Sequence, residues 1–141
     1  MKTIIAIFGR GRWGKSCAIR TLAQNFPFES EILQLWCGED IFRIGRYGGK
    51  IVGFVSQGDP NSIQKEWLEE CVQNGCDVIV SACRSRGGTV DNIIGFAEKN
   101  GYESIFTTNY HHHGNPVLPN GVDLNVVFTG NMTTLIDNLI K

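Results

Sequence analysis

Two hydrophobic patterns alternate along this chain. Thr3–Phe8 (TIIAIF), Ile51–Val55 (IVGFV) and Asp77–Cys83 (DVIVSAC) are short runs that are apolar or β-branched at nearly every position. That is the pattern of strands covered on both faces. Between them the apolar spacing widens to three and four. Cys17–Phe26 sets Ile19, Leu22, Ala23 and Phe26 on one helical face, and Pro27 stops it. A second helix runs from Asn61 or Ser62 to about Asn74, with Ile63, Trp67, Leu68 and Cys71 as its stripe and Gly75 behind it. Val90–Asn100, ended by Gly101, and Met132–Ile140 complete the predicted helices.

The remaining segments read as strands and turns. Glu31–Cys37 predicts a strand, and Gly38-Glu39-Asp40 a turn. Ile41–Tyr47 and Lys50–Ser56 flank Gly48-Gly49, which predicts a tight hairpin. SQGDP (Ser56–Pro60) ends the second arm in a turn. Ser104–Thr108 is a further strand, and Asp123–Phe128 is expected to be a short last one. Tyr110–Gly121 is a polar loop holding His111, His112 and His113. The alternation predicts one domain over residues 1–141, with a mostly parallel sheet, helices on both faces and an antiparallel hairpin.

One stretch carries chemistry. Gly9–Ser16 reads GRGRWGKS and fits G-x-x-x-x-G-K-[ST]. It follows the first buried strand and opens the first helix, which is the setting this motif requires. Its glycines let backbone N–H groups approach phosphate oxygens, and the positive end of the helix dipole points at the same anion. Lys15 would set an ammonium between the β- and γ-phosphates, and Ser16 would offer a hydroxyl to Mg²⁺. On these residues the chain resembles the P-loop NTPase superfamily. The resemblance implies a three-layer α/β/α fold and a Mg²⁺–nucleoside triphosphate ligand, without fixing a reaction. It assigns the ligand to Gly9, Arg10, Gly11, Arg12, Trp13, Gly14, Lys15, Ser16 and Cys17. The chain departs from many members of that family in having its middle glycine at the third loop position, followed by Arg12 and the bulky Trp13. Trp13 would pack outward beside the nucleotide, or the loop would rearrange when ligand arrives.

Composition narrows the setting. A formal net charge of −1 over 141 residues argues against bulk electrostatic binding to nucleic acid. No apolar run is long enough to span a membrane, and the first is too short for a signal peptide. Five cysteines without a C-x-x-C read as free thiols in a reducing cytoplasm.

A Mg²⁺–nucleotide site needs an acidic residue at the carboxyl end of a strand beside the phosphate loop. Asp77 begins its strand and lies at the wrong end, so Asp59, just past Ile51–Ser56, is the expected metal contact beside Ser16. Gln57 would orient an attacking water, although Gly58-Asp59-Pro60 also suits a plain turn. Arg84, and less so Arg86, would stack on a base or meet a phosphate. The stretch SACRSRGG holds no aspartate of the N-K-x-D kind, so guanine has no visible reader and ATP is the expected nucleotide. Glu39 and Asp40 read as turn residues; the alternative is the carboxylate with which some P-loop kinases take the acceptor's proton. Arg43, Arg46 and Tyr47 would face the γ-phosphate as a switch does, or simply charge a sheet edge. The three histidines read as lid or solvent loop rather than as a zinc site.

Three functions stay open at this level. The first is a Mg²⁺-dependent ATPase with Lys15, Gln57 and Arg84 in catalysis. The second is a small phosphotransferase with an unidentified acceptor. The third is a nucleotide-binding switch with little turnover. A protein partner or a second copy could supply a missing catalytic group.

Overall fold

The computed structural model describes residues 1–9, 14–58, 62–84, 89–113 and 115–141. The elements run β1 (Thr3–Gly9), α1 (Lys15–Asn25), β2 (Ser30–Cys37), β3 (Asp40–Tyr47), β4 (Lys50–Val55), α2 (Ser62–Gln73), β5 (Val78–Arg84), α3 (Thr89–Asn100), β6 (Glu103–Thr107) and α4 (Leu124–Leu139). The strands form one six-stranded mixed sheet in the order β2-β3-β4-β5-β1-β6. The doubly apolar runs occupy its middle: β1 lies between β5 and β6 with Ile4, Ile5, Ala6 and Ile7 all buried.

Alternation along the strands feeds two cores. Ile5, Ile7, Val78 and Val80 face α1 and α4, packing with Ile19, Leu22, Phe128 and Met132. Ile4, Ala6, Ile79 and Cys83 face α2 and α3, packing with Trp67, Leu68, Ile93 and Ala97. Each face of the sheet is thus covered by two helices.

The hairpin forms where Gly48-Gly49 predicts it. Both glycines have positive φ, 58° and 76°, which is the turn geometry that matches the twist of two antiparallel strands. Its second arm, β4, pairs with β3 on one side and β5 on the other.

One predicted element is corrected. The stretch read as a last strand, 123–128, is the start of α4. Asp123 is its N-cap, with its carboxylate accepting from the Asn125 and Val126 amides. The adjacent Val126 and Val127 gave the strand-like signal, yet they are exposed at 61% and 42%. The buried residues of the helix are Asn125, Phe128, Met132 and Ile136, spaced three, four and four apart.

Candidate functional site

Strand direction decides what the sheet offers at its carboxyl edge. β1, β4, β5 and β6 pair parallel. β3 pairs antiparallel with both β2 and β4, so it alone runs against the rest. Its first residue, Asp40, therefore lies at the edge where β1, β4 and β5 end. At that edge β1 leads into α1 on one face, and β5 leads into α3 on the other. Neighbouring parallel strands whose connections part to opposite faces leave a crevice, the usual ligand position in open α/β sheets. Gly9 and Arg84, the last residues of β1 and β5, stand in register there.

The crevice is a polar cleft of about 250 Å³, lined by Gly14, Lys15, Ser16, Asp40, Gln57, Gly58 and Arg84. Gly14 precedes α1 with φ 72°, a left-handed conformation suited to glycine. Lys15 opens the helix, is only 6% exposed, and donates from Nζ to the Gly9 carbonyl at 3.0 Å. Its ammonium is close enough to Cys83 to lower that thiol's pKa, although burial outweighs it and pushes Cys83 up to about 11.

A chain of hydrogen bonds ties the helix start to the reversed strand. Ser16 Oγ donates to the Ser56 carbonyl at 3.1 Å. Ser56 Oγ accepts from the Ile41 amide at 2.8 Å and donates to Asp40 Oδ1 at 2.9 Å. Gln57 Nε2 donates to Asp40 Oδ2 at 3.0 Å. Gly58 then passes close against β5: a Cβ built on it would sit 2.8 Å from the Ala82 Cβ. The segment after β4 is thereby pressed against the strand that ends in Arg84.

No family model, no curated protein and no solved structure matches the chain.

Of the residues read from sequence, Gly14, Lys15, Ser16, Gln57 and Arg84 converge on this cleft, and Gly9 contributes its carbonyl. Cys17 lies one residue deeper in α1, where its sulfur accepts from Asn125 Nδ2 at 3.5 Å, and it does not line the cleft. Arg10, Gly11, Arg12, Trp13, Asp59 and Arg86 lie outside the described residues. The premise behind Asp59 does change. It placed Ile51–Ser56 next to the strand that leads into Gly9–Ser16, whereas β5 stands between β4 and β1.

Asp40, read from sequence as a turn residue, lines the cleft as well. Gly38 and Glu39 make the turn, while Asp40 already belongs to β3 and points its carboxylate into the hydrogen-bond chain above. The signal was present: a hairpin between Ile41–Tyr47 and Lys50–Ser56 forces the first arm to begin where the second ends. Glu39 behaves as a turn residue, its carbonyl accepting from Arg20 at 2.9 Å. Asp77 lies at the opposite edge, as expected, and accepts from the Ile51 amide at 3.0 Å.

None of Arg43, Arg46 and Tyr47 lines the cleft. Arg43 pairs with Glu31 at 3.0 Å and lies over the Phe28 ring at 4.7 Å. Tyr47 ends β3 at the far edge, where its hydroxyl donates to Asp137. A larger cleft of about 720 Å³ is lined from α2 and α3 alone and shares no residue with the one described.

Proposed function

We propose that the chain binds a Mg²⁺-complexed nucleoside triphosphate, with ATP rather than GTP as the nucleotide, and hydrolyses it slowly in a P-loop type α/β/α domain. The observation that carries this reading is the meeting of Lys15 and Ser16, at the first turn of α1, with Asp40, Gln57 and Arg84 in one polar cleft. A buried cation at a helix N-terminus is a site for an anion. The strand order adds support that is independent of the motif, because the cleft lies where β1 and β5 send their connections to opposite faces.

The donor set fits a hard divalent cation. Ser16 supplies a hydroxyl oxygen and Asp40 a carboxylate, both anchored on Ser56, and Mg²⁺ takes oxygen ligands with one or two carboxylates plus phosphate. When bound, the ion would neutralise charge on the phosphates. Lys15 holds the phosphate chain, Arg84 meets its outer end, and Asp40 with Gln57 fixes the position of the attacking oxygen. β5, the strand beside β1, ends in an arginine instead of a carboxylate, so the acidic group comes from β3.

Asp40 also favours a second reading, phosphoryl transfer to a hydroxyl acceptor, because its carboxylate is an anionic oxygen within the cleft that can take the acceptor's proton. Steady ATP hydrolysis without an acceptor supports the first reading. ADP release that an added hydroxyl compound stimulates supports the second.

Thermal melts of the wild type and Lys15→Ala, with and without Mg²⁺–ATP, test the binding itself. At a hundred times Kd, ATP stabilises the wild type by about 2.7 kcal/mol. Loss of one charge-assisted contact weakens binding about 10- to 100-fold, which cuts that gain to about 0.4 kcal/mol at the weaker limit. Each chain's own melt without nucleotide corrects for any change in fold stability. An equal ATP response in both chains removes Lys15 from the site and the reading with it.

A further inference from the structure

We infer that the open edge of β2, with the cleft beside it, receives an extended basic segment of another protein. β2 is the terminal strand of the sheet, and its outward backbone groups have no strand partner among the described residues. Such edges normally carry a lysine, a proline or a bulge that discourages pairing. Here the bulge lies between Glu31 and Leu33, and from Leu33 to Cys37 the strand has no charged residue at all. Leu35 and Trp36 are each 47% exposed on it.

The face of this edge that looks toward α2 is hollow. Leu33 and Leu35 with Phe42 and Trp67 line a cleft of about 450 Å³. Phe42 and Trp67 stack at 5.3 Å between ring centres and make its floor. Glu66, Glu69 and Glu70 of α2 form the opposite wall, and all three are exposed. A strand added to β2 would drop every second side chain into this cleft. Apolar residues suit the floor, and lysine or arginine suits the wall.

The same charges argue against a second copy. Two β2 edges paired about a twofold axis would bring both α2 walls, six glutamates in all, to one junction. A basic partner removes that repulsion. The added strand would lie next to the β2–β3 pair, whose turn end carries Asp40, but the inference does not depend on the nucleotide reading.

The probe is a fluorescent ten-residue peptide alternating lysine and valine, set against its glutamate–valine counterpart, with the full chain. Peptide anisotropy gives affinity, and amide hydrogen exchange locates the contact. The expected result is binding of the basic peptide only, weakened by salt, with slowed exchange at Leu33–Trp36. Triple reversal of Glu66, Glu69 and Glu70 to Lys should cost about tenfold or more in affinity. A far-ultraviolet spectrum and melt confirm that the variant is folded. Equal binding of both peptides, binding without protection of β2, or no binding overturns the inference. So does sedimentation showing that β2 is protected by self-association.

Discussion

Replacing Asp40 separates its part in the fold from the part proposed for it at the metal. In the wild type its two carboxylate oxygens accept from Ser56 Oγ at 2.9 Å and Gln57 Nε2 at 3.0 Å. Ser56 is fully buried, so in Asp40→Ala its hydroxyl loses the acceptor and cannot turn to water. Gln57 is only partly buried and can. An unsatisfied buried hydroxyl costs about 1–3 kcal/mol. A value near 2 kcal/mol lowers the melting temperature of a domain this size by about 7 °C. Asp40→Asn keeps an oxygen for Ser56 and faces Gln57 with an amide, a conflict that Gln57 relieves by turning its own amide over. The cost is then about 1 kcal/mol or less. The asparagine chain should therefore melt near the wild type while losing the negative charge. Melts with ATP, each with and without Mg²⁺, read the rest. The wild type should gain from Mg²⁺, and Asp40→Asn should keep the Mg²⁺-free nucleotide shift but lose most of the metal increment. A full Mg²⁺ increment in Asp40→Asn would refute the assignment of Asp40 to the metal. An Asp40→Ala melt within about a degree of the wild type would refute the hydrogen-bond argument.

The fold makes further demands that can be measured. Gly58→Ala forces a Cβ to 2.8 Å from that of Ala82 and should cost about 1–3 kcal/mol, with a double-mutant cycle on Gly58→Ala and Ala82→Gly showing the two substitutions coupled, as read by denaturant midpoints. Asp123→Ala removes the cap of α4 and should lower stability by about 1 kcal/mol, whereas a neutral result would contradict the helical start. Cys83 holds its proton up to about pH 11 in the folded chain and releases it near 9 when unfolded. The native state then binds more protons across that window, so stability should fall as pH rises from about 9 to 11. Cys71 and Tyr102, also raised by burial, add to the same fall, so Cys83→Ala should reduce the slope without abolishing it, and an unchanged slope would remove this thiol as a source.

Local pattern carried the elements because each answers to its own neighbours. Gly48-Gly49 fixes the hairpin with two positive φ angles, and Ile19, Leu22 and Ala23 set the buried face of α1. The start of α4 went unread for a local reason too: two adjacent valines imitate a strand, and the deciding residue is a single cap ahead of them. Strand order is another kind of property. No residue in Lys50–Val55 announces that β5 will come between it and β1, because that depends on which way α2 and α3 cross the sheet. The expected neighbour of β1 was therefore misplaced by one strand.

Asp40 shows how a long-range constraint brings a polar residue beside a turn to the cleft. What holds its carboxylate at the cleft is the register of β3 on β4, with Phe42 opposite Val55 and Ile44 opposite Gly53. Phe42 and Ile44 are fully buried on the side of α2 and α3, and Ile41 on the side of α1 and α4. A slip of one residue would exchange those faces, turning the Phe42 ring off Trp67 and Asp40 away from Ser56 together. The apolar burial of β3 thus fixes a polar group that contributes nothing to that burial. The carboxylate needs no signal in its own immediate sequence, because the core residues beside it specify where it goes.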